Sequence, residues 1–177
     1  MPYAARLISL PADQTTTFEN IYRDGKRTQY IRSRAAPLTA AEVPAAWRQA
    51  PIVHLGCLAQ EVDPEIVDAF SATSLVGVTP QGWLRGWDAE GRVGVQPWTA
   101  AERVLARADA MVLSRDDVGH DEEQLQRYLR LARVAVVTQS WQGATLHLEG
   151  RTESFAAYNV PEVDPTGAGD VFAAAFF

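Results

Sequence analysis

Between residues 52 and 139 the chain alternates short apolar runs with amphipathic segments, and this alternation constrains the fold more than any other feature. IVHL (52–55), SLVGV (74–78), DAMVL (109–113) and VAVVTQ (134–139) are brief runs rich in β-branched and aliphatic residues. Runs of that length and make-up predict strands buried on both faces. Between them lie segments with helical spacing. DPEIVDAF (63–70) has Asp63 to cap a helix and Pro64 to start it. TAAERVLARA (99–108) is helical in pattern. DEEQLQRYLRLAR (121–133) is acidic in its first turn and basic in its last, which suits the helix dipole. Its Leu125, Tyr128, Leu129 and Ala132 share one face.

Strand–helix–strand units repeated in this way imply right-handed crossovers. The expected fold is α/β: a doubly wound, mostly parallel sheet with helices on both faces. Ligands of such sheets bind beyond the carboxyl ends of the strands. Residues 56–58, 79–85, 114–117 and 139–143 are therefore expected to line a site. Within the second of these, Gln81 and Arg85 follow a strand directly and are candidates for polar substrate or phosphate contacts.

Two regions stand outside the alternation. TTTFENIYRDGKRTQYIRSR (15–34) places β-branched and aromatic residues around Asp24-Gly25, a two-residue hairpin turn. Strands are expected near 16–23 and 27–33, with polar side chains on both faces, forming a small β lid. Residues 1–36 are read as this lid and 37–177 as the α/β core. Polar-faced strands of this kind also offer an edge for pairing with a second copy, so a homodimer through the lid is one expectation. TPQGWLRGWDAEGRVGV (79–95) reads as a loop and an irregular hairpin, and ATLHLEG (144–150) as a hairpin arm.

Charge and composition remove several classes. There are 16 Lys+Arg against 22 Asp+Glu, a net charge of −6, and the arginines are scattered, which argues against a nucleic-acid partner. The one lysine, Lys26, lies in DGKRTQ, outside any G-x-x-x-x-G-K-[ST] frame, so this is not a P-loop protein. No apolar run approaches the roughly 18 residues that span a membrane. MPYAARLISLPADQ lacks the basic stretch and apolar core of a secretion signal. A single cysteine, Cys57, allows no internal disulfide. The expectation is a cytoplasmic protein without a membrane partner.

The chemistry gathers in DPTGAGDVFAAAFF (164–177). Thr166-Gly167-Ala168-Gly169-Asp170 opens a helix, and the first N–H groups of any helix lack internal partners. Small residues let an anion approach those groups. A carboxylate beside a bound anion repels it, so Asp170 makes sense there as a general base, taking a proton from a hydroxyl that attacks phosphorus. The alternative is purely structural: D-P-T-G is a competent turn, Thr166 a competent cap, and small residues serve helix packing.

VDPTGAGDVFAAAF resembles the C-terminal signature of the ribokinase-like (PfkB) carbohydrate kinases, D-T-x-G-A-G-D-x-F. Asp164, Gly167, Ala168, Gly169, Asp170 and Phe172 match it, while Pro165 and Thr166 reverse the usual position of the threonine. The resemblance implies an anion hole at Gly167, Ala168 and Gly169 and a catalytic base at Asp170. VVTQSWQGATLHLEG resembles the family's nucleotide-binding T-x-G-x-x-G segment, which implies that Thr138, Ser140 and Gly143 lie against the nucleotide, with Ser140 in place of a glycine. ADAMVLSRDDV resembles A-D-x-x-x-x-N-x-x-E; Ser114 and Asp117 stand at the Asn and Glu positions. Asp117 would then act on magnesium through water. HLGCLAQEV and GVTPQGWLR are similar to segments of some members.

The implied activity is ATP- and Mg2+-dependent phosphoryl transfer to a hydroxyl of a sugar, polyol or nucleoside. Family members begin with a strand and a G-G-x-x-x-N element and continue beyond the anion-hole helix, so the chain is expected to correspond to a kinase truncated at both ends. That sets a second expectation beside the first: a catalytically inactive nucleotide-binding or interaction module of the same fold.

Other chemistry-bearing residues read as structural. His54, His120 and His147 have no metal-ligand spacing; His54, at a strand end, reads as a satisfied buried histidine. Cys57 reads as a small core residue. Trp83, Arg85 and Trp87 alternate, so on one strand they share a face, packed on the lid or open as a stacking platform.

Overall fold

The computed structural model describes residues 5–24, 26–161 and 166–177. Gly25 of the expected hairpin turn, and Asp164 and Pro165 of the C-terminal motif, lie outside the described residues.

Four strands follow the apolar runs within a residue or two: β3 (Ile52–Gly56), β4 (Leu75–Thr79), β7 (Ala110–Ser114) and β8 (Val134–Thr138). Each pairs in parallel with the next, Val53 opposite Val76, Val78 opposite Met111 and Val112 opposite Val136. β9 (Ala144–Leu148) and β10 (Arg151–Phe155) extend the sheet antiparallel. The six strands run in the order β10-β9-β8-β7-β4-β3.

Each parallel step needs a crossover, and the three crossovers bury their apolar stripes on one face. They are a 3-10 helix at Pro64–Ala69, α1 (Ala101–Arg107) and α2 (Glu122–Leu131). Asp63 accepts from the Glu65 N–H and Asp121 from the Gln124 N–H, so both predicted starts are capped by carboxylates. Val104, Leu105, Leu125 and Tyr128 meet Val53, Leu55, Val76, Val78, Met111 and Val137 in the main core. Trp98 lies in the same core, its backbone N–H donating to Tyr128 Oη at 2.9 Å.

Alternate residues of the sheet face the other way. There Val112 and Val136 pack on Ala173 of α3 (Ala168–Phe176), with Phe177 alongside. Helices thus cover both faces, as the strand pattern predicted. No helix among the described residues is long and apolar enough to cross a membrane.

β1 (Thr17–Arg23) and β2 (Lys26–Ser33) form the expected hairpin, in register from Arg23 opposite Lys26 to Phe18 opposite Ile31. A second hairpin, β5 (Arg85–Trp87) with β6 (Val93–Val95), joins it. Tyr30 bridges Arg92, and the Ile31 N–H donates to Gly91 O at 2.8 Å. The two hairpins thus make one cover over the strand ends.

Trp83, Arg85 and Trp87 do not share a face. Trp83 precedes β5, because a 3-10 turn at Pro80–Gly82 intervenes, and its ring is buried. It stacks on Trp98 at 5.2 Å and donates to Val62 O at 2.7 Å. Arg85 and Trp87 face the lid instead, against the Phe18 ring and the Arg34 guanidinium.

Candidate active site

The carboxyl ends of β4 and β7 lie side by side and deliver Thr79 and Ser114 to the same edge of the sheet. Beyond β7 the chain makes a tight turn. The Ser114 N–H donates to Asp117 Oδ2 at 2.8 Å and the Asp117 N–H to Ser114 Oγ at 3.2 Å. This reciprocal pair closes the 3-10 helix Asp116–Val118 as a capping box closes an α-helix. The other carboxylate oxygen of Asp117 accepts from Gln81 Nε2 at 2.9 Å. Gln81, Ser114 and Asp117, drawn from two strand ends, therefore form one connected polar group.

Arg85 borders this group. Its Nη1 donates to Leu58 O at 3.0 Å and its guanidinium lies 5.2 Å from the Phe18 ring centre. Burial pushes its pKa below the ordinary arginine value, against the opposing pull of the nearby Asp117 carboxylate. Gln81, Arg85, Ser114 and Asp117 line a cavity of 310 Å³ roofed by Arg27, Thr28 and Gln29 of β2 and by Arg92–Val95 of the second hairpin. That volume lies at the lower end for small-molecule sites.

Asp170 stands in the first turn of α3, exposed, three residues after Gly167. Gly167 holds φ +79°, a left-handed conformation that favours glycine, and this reversal starts the helix. A Cβ on Gly167 or Gly169 would meet open space, so the small side chains here fill no packing gap. Gly167 thus has a conformational reason to be glycine, whereas Gly169 has neither that nor a packing reason among the described residues.

The Asp170 charge reaches two residues of the sheet edge. His54, half-buried on β3, is pushed below its ordinary pKa by burial, while Asp170 draws it back upward. Asp170 also favours the charged form of Arg85, as a lesser influence than burial. His54 Nε2 lies 3.1 Å from Thr79 Oγ1, and its ring lies 4.9 Å from that of Phe177. His54 thus has a hydrogen-bond partner, though it is half-buried rather than buried as expected, and it feels the Asp170 charge.

Thr138, Ser140 and Gly143 sit one strand further along. Thr138 is opposite Ser114 in the sheet register, and its hydroxyl donates to Leu113 O at 3.4 Å. The loop after it is closed by the Gln139 N–H on Gly143 O at 2.8 Å. Ser140 adopts φ +51° and Gly143 φ +103°. These three residues do not line the 310 Å³ cavity.

Arg27, Thr28, Gln29 and Arg92 were not predicted as site residues. Their approach depends on the bridge between the two hairpins, which no local pattern announces. Cys57 is buried, and burial together with Glu61 pushes its thiol up to about 11, the state of an inert core thiol.

The magnesium that the resemblance implies would find a single carboxylate here. Among the described residues no group of three or more His, Cys, Asp or Glu side chains is placed to hold a metal. Asp117, with lone pairs left beyond its two protein donors, fits an ion carried mainly by substrate phosphates and water.

No protein-family model and no curated protein matches the chain. Solved structures do. A pyrophosphate-dependent kinase in the ribokinase family, complexed with a pyrophosphate analog and myo-inositol, superposes with a TM-score of 0.76 at 20% identity, over 94% of this chain and 61% of that one. The ribokinase of Thermotoga maritima gives 0.64 at 19% identity, over 90% and 55%. An E. coli protein described as a ribokinase II, complexed with ATP and Mg2+, gives 0.59 at 20%, over 86% and 54%. The chain therefore spans a little over half to three-fifths of the length of these structures. A six-stranded, mostly parallel sheet under a β cover, shared with these kinases over 86–94% of its residues, gives this chain the ribokinase fold.

Proposed function

We propose that this chain is an ATP-dependent phosphotransferase acting on a hydroxyl of a sugar, polyol or nucleoside. The position of Asp170 carries the reading. It is a carboxylate in the first turn of a helix, behind a left-handed glycine, with its charge reaching the sheet edge where Arg85 borders a roofed cavity.

Asp170 takes the proton of the acceptor hydroxyl as that oxygen bonds to the γ-phosphorus and the bond to the departing ADP oxygen breaks. The N–H groups of Ala168, Gly169 and Asp170, at a helix start where no intrahelical acceptor is available, stabilise the charge spread over the transferring phosphoryl oxygens. Thr138, Ser140 and Gly143 present backbone to the nucleotide. Gln81 and Arg85 hold the acceptor. Asp117 would hold magnesium through water, and the ion would supply charge neutralisation at the phosphates when bound. The solved relatives support this reading by the ligands they carry: myo-inositol with a pyrophosphate analog, and ATP with Mg2+.

A second reading, a catalytically inactive nucleotide-binding module, draws on Ser140. Its side chain occupies a left-handed position where the resembling motif has glycine. One experiment separates the two. The full chain is assayed for phosphoryl transfer from ATP, and from pyrophosphate, to a panel of sugars, polyols and nucleosides, beside Asp170→Asn. Turnover that falls about 10²–10⁴-fold in Asp170→Asn supports the kinase. Near-normal turnover in the variant removes Asp170 as the base, and calorimetric ATP-Mg binding without turnover in either protein supports the inactive module.

A further inference from the structure

The cavity under the lid is lined by three arginines from three different segments: Arg27 of β2, Arg85 at the start of β5 and Arg92 just before β6. Most other arginines that border carboxylates are paired. Arg32 meets Glu19, Arg103 meets Glu65 and Asp68, Arg115 meets Glu122, and Arg127 meets Glu102. Among the described residues, Arg27, Arg85 and Arg92 make no ion pair. Arg85 spends one N–H on a backbone carbonyl, and burial already disfavours its charge.

Two carboxylates, Asp116 and Asp117, share the wall, and the pull of Asp117 on Arg85 exceeds the repulsion from Arg27, yet among the described residues neither makes an ion pair with the three arginines, which outnumber them. Asp117 is occupied by Gln81 and by the Ser114 N–H. Asp116, also in the lining, has its Oδ1 3.1 Å from Nε2 of His120, which is not a lining residue. Gathering three guanidinium groups around one concave space costs mutual repulsion, felt at Arg85 as the influence of Arg27. A bound anion converts that cost into charge-assisted hydrogen bonds, and guanidinium groups match phosphate and carboxylate oxygens in pairs.

We infer that the acceptor carries an anionic group, a phosphate ester foremost, and that Arg27, Arg85 and Arg92 clasp it in the cavity beneath the lid. The term acceptor rests on the kinase reading above; the anion site itself does not. Donor phosphates share this chemistry; their implied amide contacts, the α3 start and the 138–143 loop, lie outside the lining of this cavity, while Asp117 lies within it, so the pyrophosphate arm of the test separates the two. A cationic lid also gives the hairpin cover a reason to close: an anion bound between Arg27 and Arg92 bridges the first hairpin to the second.

The test is calorimetry on the full chain with matched pairs, myo-inositol and myo-inositol 1-phosphate, fructose and fructose 6-phosphate, and with pyrophosphate alone. At least one phosphorylated member should bind about tenfold or more tightly than its parent, and the advantage should shrink as salt is raised. Arg27→Gln and Arg92→Gln should each remove most of that advantage while leaving the neutral parent's affinity unchanged. Arg92→Lys should keep part of it. Thermal unfolding of each variant checks that the fold is intact; if a glutamine variant fails to fold, the lysine variants and the salt series decide alone.

Phosphorylated members that bind no more tightly than their parents overturn the inference. So does pyrophosphate that competes with the sugar phosphate and weakens equally in both glutamine variants, since the cavity would then serve the donor. Arginine-dependent binding of a sugar phosphate, with no transfer to it from ATP or pyrophosphate, leaves the anion site standing and removes the kinase reading instead.

Discussion

A Cβ built on Gly77 would stand 2.5 Å from the ring of Phe177, so β4 carries no side chain at its midpoint while that ring lies on it. Gly77 is opposite Ala110 on β7 and His54 on β3, whose ring lies 4.9 Å from that of Phe177. Phe177 closes the last turn of the helix whose first turn holds Asp170, its N–H donating to Ala173 O at 3.0 Å. The seat on β4 therefore helps set where the proposed base points.

Gly77→Ala should accordingly destabilise the protein by about 1–3 kcal/mol, the usual cost of overpacking a closed contact. Phe177→Ala removes the clash, so in the double variant the alanine at position 77 should cost little. Urea unfolding of the four proteins completes the cycle. Additive effects would show that the ring does not rest on Gly77 in solution.

Stability should fall with acidity through His54. Burial holds its folded pKa below the ordinary value near 6.5, with Asp170 as a partial counterweight. As pH drops below that ordinary value, the unfolded chain takes up a proton that the folded chain resists. The stabilisation is thus complete above the unfolded pKa and lost as pH falls through the folded one. His147 is shifted the same way, also by burial, so His54→Gln should flatten the slope without abolishing it. Asp170→Asn removes the counterweight and should lower the His54 pKa further in an NMR titration. An unmoved His54 would place Asp170 elsewhere.

The parts of this structure legible in sequence are those whose signal is local. β3, β4, β7 and β8 follow apolar runs because a strand covered on both faces needs no alternation. The start of α2 follows Asp121, because a carboxylate satisfies helix N–H groups from one fixed position. The place of Asp170 in the first turn of α3 was legible for the same reason, since a turn of small residues before an apolar run marks a helix start. Trp83 was misplaced because two-residue alternation presumes a continuous strand, and the Pro80–Gly82 turn breaks it. The gathering of Arg27, Arg85 and Arg92 was invisible, since it depends on the pairing of Tyr30 with Arg92 across two hairpins.

The 138–143 loop should answer oppositely to two small substitutions. Gly143 has φ +103°, and a Cβ there would overlap Phe155 O and come within 2.8 Å of Ala157 N. Gly143→Ala should therefore cost more than the roughly 0.5–1 kcal/mol by which alanine otherwise gains over glycine. Ser140 sits at φ +51° with a side chain. Ser140→Gly relieves that conformation, at about 1–2 kcal/mol, against a smaller loss of chain entropy, so it should be neutral or slightly stabilising. Denaturant midpoints check both. A destabilising Ser140→Gly would mean that the serine side chain holds the loop.

Asp117 carries two separable roles, and two variants tell them apart. Asp117→Ala strips the acceptor from the Ser114 N–H and from Gln81 Nε2, both half-buried, and should cost about 1–3 kcal/mol before any nucleotide is added. Asp117→Asn keeps one carbonyl oxygen for the Ser114 N–H and should cost less. The charge, however, is gone in both. Under the proposed role on magnesium, both variants should bind ATP-Mg more weakly than wild type and demand more magnesium, while ATP without metal should bind all three alike. An Asp117→Ala protein of full stability would mean the turn does not depend on these bonds. An Asp117→Asn protein with unchanged ATP-Mg affinity would leave Asp117 as a brace for the β7 turn and nothing more, because only the charged carboxylate has a claim on a hydrated cation.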